Sequence, residues 1–78
     1  MSFKADRQLN CLGMFCPMPV LKTKVELEKT PVGHTLEVIA DDPAAELDIP
    51  SLARSVGQEI VGIQKEGRAI HIFVKRIK

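Results

Sequence analysis

The chain contains no tryptophan and no tyrosine, and only three phenylalanines in 78 residues. So little aromatic surface offers no platform for stacking bases or sugars, and the core has to be aliphatic. An excess of one charge is missing too. Eleven Lys and Arg stand against ten Asp and Glu, a formal net charge of +1. Nucleic-acid binders normally carry a basic excess, so no direct nucleic-acid binding is expected, and Lys75, Arg76 and Lys78 read as a solvated end. No apolar run approaches the roughly 18 residues a membrane span needs. The opening "MSFKADRQLN" has no apolar signal core. These absences lead to the expectation of a soluble, cytoplasmic protein that does not engage membranes. Cysteine is scarce as well, with only Cys11 and Cys16. Cytosolic thiols stay reduced, so the pair suggests chemistry or packing before it suggests a structural staple.

What is present points to one small domain, residues 1–78. At this length a chain buries only roughly 60% of its unfolded surface. Ala5, Leu9 and Cys11 share a parity within residues 3–11, which fits a short strand running into a loop at Gly13. A helix is expected from Pro17 to about Lys29, with Val20, Leu21, Val25 and Leu27 as its apolar face. Pro31 and Gly33 end it. Thr35 to Asp41 alternates as a strand around Leu36, Val38 and Ala40. In "DDPAAELDIPSLARSVG" Asp48 reads as an N-cap, with Ile49 and Pro50 as the first helical positions. Residues 43–47 then form a separate turn, and Gly57 closes the helix. Glu66 and Gly67 mark a hairpin between the last two strands. The order β-α-β-α-β-β implies right-handed crossovers. The expected fold is an α+β two-layer sandwich: a four-stranded mixed sheet with two helices on one face.

The chemistry-bearing stretch is "CLGMFCPMPVLKTKVELEK", residues 11–29. Cys16 precedes Pro17, Met18 and Pro19, which places the thiol at the N-cap and the prolines at the first and third helical positions. Helix N-termini favour negative charge, and a cysteine there has its thiolate stabilised. The expectation is therefore a low-pKa thiolate held outward by a stiff helix start. Met14, Phe15 and Met18 could form an apolar rim for a partner protein. The plain alternative is a packed thiol, for which two flanking prolines serve little purpose.

The pattern Leu9, Gly13, Cys16-Pro17-Met18-Pro19-Val20-Leu21 resembles the CPxP signature of the TusA/SirA-like sulfur carriers. Residues 41–60 resemble that family's second block, with Asp42, Pro43, Asp48, Ile49, Pro50, Ala53 and Gly57 in matching places. The resemblance covers essentially the whole chain. It implies a sandwich like the C-terminal domain of translation initiation factor 3, with sheet order 1-2-4-3. It also implies a sulfurtransferase activity in which Cys16 accepts sulfane sulfur as a persulfide and relays it to an acceptor. Gly13, Pro17 and Pro19 carry over as scaffold. No cofactor is implied beyond the covalent sulfur on Cys16. The implied donor is a cysteine desulfurase or rhodanese-like protein, and the implied acceptor is DsrE-like or another protein. Outlets in the family include tRNA thiolation, molybdenum cofactor sulfuration, sulfur oxidation and selenium handling. A monomer is expected. The sequence departs from the family at Asn10, where many members have Asp, and at Gln58, where a histidine is usual.

The remaining candidates weigh less. Cys11 could resolve a persulfide or disulfide on Cys16, or simply pack at the end of the first strand. Zinc is disfavoured, because Cys11, Cys16, His34 and His71 lack the spacing of a zinc module. His34 reads as a solvent-facing turn residue. His71 and Phe73 share the sheet face away from the helices. Asp41 ends a strand and Asp42 caps the following turn. The rival from another class is a thiol-based redox-regulatory or non-catalytic interaction module, using a reversible Cys11–Cys16 disulfide.

Overall fold

A computed structural model describes residues 4–78; residue 3, where the first strand was expected to begin, lies outside the described residues. The first strand, β1, is Arg7–Cys11, and β2 is Thr35–Ala40. They pair in parallel, from Arg7 opposite Leu36 to Cys11 opposite Ala40. A parallel pair needs a crossover, supplied by helix α1, Met18–Lys29. A second helix, α2, Ala45–Ser55, leads to the hairpin of β3, Glu59–Glu66, and β4, Ala69–Lys75. β4 inserts antiparallel between β2 and β3, so the sheet order is β1-β2-β4-β3, as expected.

Alternation decides which side chains enter the core. Leu36, Val38, Ala40, Ile70, Ile72 and Val74 face the helices and are fully or nearly fully buried. Leu27 of α1 and Ala45, Ile49 and Ala53 of α2 close over them. The opposite sheet face is not the plain exposed surface the sequence suggests. Phe73 is only 3% exposed. Glu37 accepts from Gln8 Nε2 at 2.8 Å and lies 2.6 Å from His71 Nδ1.

Both helices differ from expectation at their starts or faces. In α1 the buried residues are Pro19, Thr23 and Leu27, an i, i+4 row. Leu21 and Val25 each lie two residues from Thr23, about 200° round the helix, and are 52% and 51% exposed. Thr23 tolerates burial because its hydroxyl donates to the Pro19 carbonyl at 2.7 Å. In α2 the helix begins at Ala45, so Asp48 is not the N-cap and Pro50 lies inside. The segment expected as a separate turn runs straight into the helix. The Ala45, Glu46 and Leu47 N–H groups bond to carbonyls three residues back, and the Asp48 N–H then reaches Ala44. Pro50 costs one helical hydrogen bond, and its ring is buried against the core.

The basic C-terminus is not merely solvated. The Arg76 guanidinium donates to the carbonyls of Leu27, Glu28 and Thr30 at 3.2, 3.1 and 2.8 Å. It satisfies carbonyls at the end of α1, where the helix dipole favours a cation. Gln58 ties the same terminus down, accepting from Ile77 N at 2.8 Å and donating to Lys78 O at 3.0 Å.

Candidate active site

The parallel register of β1 and β2 ends at Cys11 opposite Ala40. The chain therefore leaves both strands at the same end of the sheet, and residues 12–17 meet residues 41 and 42. Each polar group there has a defined use. Asn10 Oδ1 accepts from Leu12 N at 2.9 Å, turning the chain as it leaves β1. Gly13 takes φ +79°, a conformation that favours glycine, and its N–H donates to Asp41 Oδ1 at 3.0 Å. The Cys16 N–H donates to Asp42 Oδ2 at 2.9 Å, while Asp42 Oδ1 accepts from Ala44 N at 3.1 Å. One carboxylate thus fastens the cysteine loop to the start of α2.

Cys16 is exposed and unbonded to Cys11. It is not the N-cap. The Met18 N–H bonds to the Phe15 carbonyl at 2.9 Å, closing a turn over Cys16 and Pro17. The first helical acceptor is the Pro17 carbonyl, reached by Leu21 N at 3.1 Å. The helix register is thus one residue later, with Pro17 as N-cap and Pro19 at the second helical position.

The thiol's electrostatics reverse the expectation from the helix start. Partial desolvation raises the Cys16 pKa above its ordinary value; its hydrogen bond to Asp48 and the negative charges of Asp48 and Asp42 raise it further. Asp48 Oδ2 lies 3.6 Å from Sγ. The donors that would favour an anion are few here, since Met18 N is committed to Phe15 and Pro17 and Pro19 have no N–H. Desolvation and the two neighbouring carboxylates thus all favour the protonated form of the Cys16 thiol.

Cys11, by contrast, is fully buried in the core. Burial raises its pKa, and the Lys22 charge opposes the rise. Among the rim residues expected from the sequence, Met14 packs against the core. Phe15 is 75% exposed, and Met18 and Leu12 are about half exposed. Met18, Leu21 and Val25 line one shallow depression on the outer side of α1. Among the described residues no group of three or more His, Cys, Asp or Glu side chains is placed to hold a metal ion. No helix among them is long and apolar enough to cross a membrane.

Asp41, Asp42 and Asp48 are the site residues that the sequence reads chiefly as a strand end and caps. The signal for Asp41 and Asp42 is the parallel pairing, which brings the residues after Cys11 and after Ala40 together, and Asp48 follows from the packing of α2.

Comparison with known proteins bears on this arrangement. The family model described as sulfurtransferase TusA matches residues 7–76. A putative sulfur carrier protein of Archaeoglobus fulgidus is 42% identical over 73 residues, covering 92% of this chain and 95% of that one. The sulfur carrier protein TusA of Allochromatium vinosum is 34% identical over 71 residues, covering 91% and 93%. The crystal structure of a SirA-like protein from Desulfitobacterium hafniense superposes with a TM-score of 0.80 over 92% of this chain and 99% of that one. At 19% identity that likeness speaks to the fold.

Proposed function

The chain belongs to the sulfurtransferase TusA family, and on that premise we propose that it is a sulfur carrier in which Cys16 holds the sulfur as a persulfide. The observation that carries this reading is the division between the two thiols. Cys16 is exposed on a loop fastened through its own N–H to Asp42, whereas Cys11 is enclosed in the core. A carrier has to show one sulfur to two proteins in turn, and only Cys16 is open to both.

Loading is an exchange at sulfur. Cys16 Sγ attacks the terminal sulfur of a donor persulfide, a new S–S bond forms, and the donor cysteine leaves as a thiolate. Delivery is the same displacement in reverse, with an acceptor thiol as the nucleophile and Cys16 as the leaving group. Neither step changes the total number of electrons, so neither requires a cofactor. A cysteine desulfurase or a rhodanese-like protein suits the donor role, and a DsrE-like protein or another thiol protein the acceptor role. The exposed apolar side chains of Leu12, Phe15 and Met18, close in sequence to Cys16, support docking of such partners.

The redox-switch alternative needs Cys11 to reach Cys16, and the burial of Cys11 weighs against it. The two readings part in one experiment: incubation with a cysteine desulfurase and free cysteine, followed by intact-mass measurement. A gain of one sulfur atom, lost in Cys16→Ser and kept in Cys11→Ser, is the expected result. Loss of two hydrogens without sulfur gain would mean a disulfide switch instead.

A further inference from the structure

We propose that Asp48 is a catalytic acid–base residue, taking the proton from Cys16 during loading and returning it during delivery. The inference rests on the carrier reading and adds to it the group that moves the proton. A thiol is a weak nucleophile until it loses its proton, and delivery asks the same sulfur to leave, which a bare thiolate of high pKa does poorly. Both difficulties are eased by one carboxyl group beside Sγ that accepts the proton in loading and donates it in delivery.

Two carboxylates face the thiol, Asp42 from the connection after β2 and Asp48 from α2. Both oxygens of Asp42 are already engaged by backbone donors, Cys16 N and Ala44 N, and the hydrogen bond from Sγ goes to Asp48 instead. Asp48 has its Oδ2 3.6 Å from Sγ and makes no other side-chain hydrogen bond among the described residues. Its place in the fold suits the task. It sits in the first turn of α2, between buried Ala45 and Ile49, so its backbone is fixed while its half-buried carboxylate turns to the cysteine loop. The nearest charge along α1, Lys22, acts on Cys11. No cation is among the groups that set the ionisation of Cys16.

In loading, Sγ bonds to the donor's terminal sulfur as the Sγ proton passes to Asp48. The donor's S–S bond breaks and its electron pair stays on the donor cysteine. In delivery, the acceptor thiolate takes the terminal sulfur, and the Cys16 sulfur leaves with the bond pair and regains the proton from Asp48. Charge and electrons balance in both directions.

The test separates a base from a merely repulsive charge, because the two roles push Asp48→Asn in opposite directions. Alkylation by iodoacetamide, which involves no partner, should become faster at neutral pH in Asp48→Asn, since loss of the negative charge raises the thiolate fraction. Single-turnover loading from a persulfide-charged cysteine desulfurase should become slower, by about tenfold or more. The deficit should close toward alkaline pH, where the thiol is already ionised. Asp48→Glu should recover part of the loading rate. An unchanged far-UV circular dichroism spectrum and a cooperative thermal transition show that Asp48→Asn is folded, because faster alkylation alone is also what an unfolded chain would give. Loading of Asp48→Asn as fast as the parent, or faster in step with alkylation, overturns the inference and leaves the carrier reading intact. Absence of loading in the parent overturns both.

Discussion

Asp42→Asn tests the clamp that holds the cysteine loop. In the native chain the two carboxylate oxygens serve two different N–H groups, Cys16 N at 2.9 Å and Ala44 N at 3.1 Å. Asparagine has one carbonyl oxygen, so it can serve one of them and must turn its NH₂ toward the other. A lost hydrogen bond to a charged group costs about 1.5–3 kcal/mol, and an ordinary one about 1 kcal/mol. Cys16 is exposed, so water replaces part of what is lost on its side, and the expected destabilisation is about 1 kcal/mol. In a domain of this size that lowers Tm by about 4–8 °C. Asp42→Ala, which removes both acceptors, should cost about twice as much. The same change removes a negative charge beside the thiol, so the alkylation pH profile of Cys16 should shift to lower pH. Calorimetry gives the first quantity, iodoacetamide kinetics the second, and amide exchange at Cys16 and Ala44 shows which contact is lost. An unchanged Tm together with unchanged exchange at both amides would refute the clamp. A thiol profile that stays in place or shifts upward would refute the electrostatic part.

Other consequences can be measured separately. The parent Cys16 should alkylate at neutral pH more slowly than cysteine in an unstructured peptide, with its rate rising through an inflection above the ordinary thiol value. The sign follows from desolvation and from the neighbouring Asp48 and Asp42, all of which favour the protonated form. Arg76→Met should destabilise the chain by about 1–2 kcal/mol, because three carbonyls at the end of α1 lose their donor. That loss should appear in chemical denaturation while alkylation of Cys16 is unchanged. Phe15→Ser should leave stability within about 0.5 kcal/mol, since the side chain is exposed, yet slow sulfur exchange with protein partners, read by single-turnover transfer. Cys11→Ala should cost about 1–2 kcal/mol for a small core cavity, seen as a lower denaturation midpoint with sulfur loading retained.

Most of the fold was legible in the sequence because period and punctuation agreed. Leu36, Val38 and Ala40 alternate, Ile70, Ile72 and Val74 do the same, and Gly67 marks the hairpin. Of the expected first-helix face, Leu27 is buried and Val20 packs against the core, while Leu21 and Val25 are exposed, because the sandwich gives α1 only one side to bury. The row Pro19, Thr23, Leu27 takes that side, although Leu21 and Val25 are more apolar than Thr23. The proline at position 50 reads as a helix start, yet α2 begins five residues earlier, because tight bonds three residues back let the helix begin at Ala45. Cys16 was legible as the exposed thiol, but its ionisation was not. Helix position is a local feature. The carboxylates that reverse its effect lie 26 and 32 residues away and reach the thiol only through the parallel pairing of β1 with β2 and the packing of α2. The same long-range contact hid Asp48, which a local reading assigns to a helix cap.

The central claim is that sulfur rides on Cys16 between two proteins. The direct measurement loads the chain with radiolabelled sulfur from a cysteine desulfurase and repurifies it. The label is then located by peptide mapping and followed to a second thiol protein. Label on the Cys16 peptide, one atom per chain, leaving as the acceptor gains it, is the predicted result. Label that stays on the chain, maps to the Cys11 peptide, or survives Cys16→Ser would contradict it.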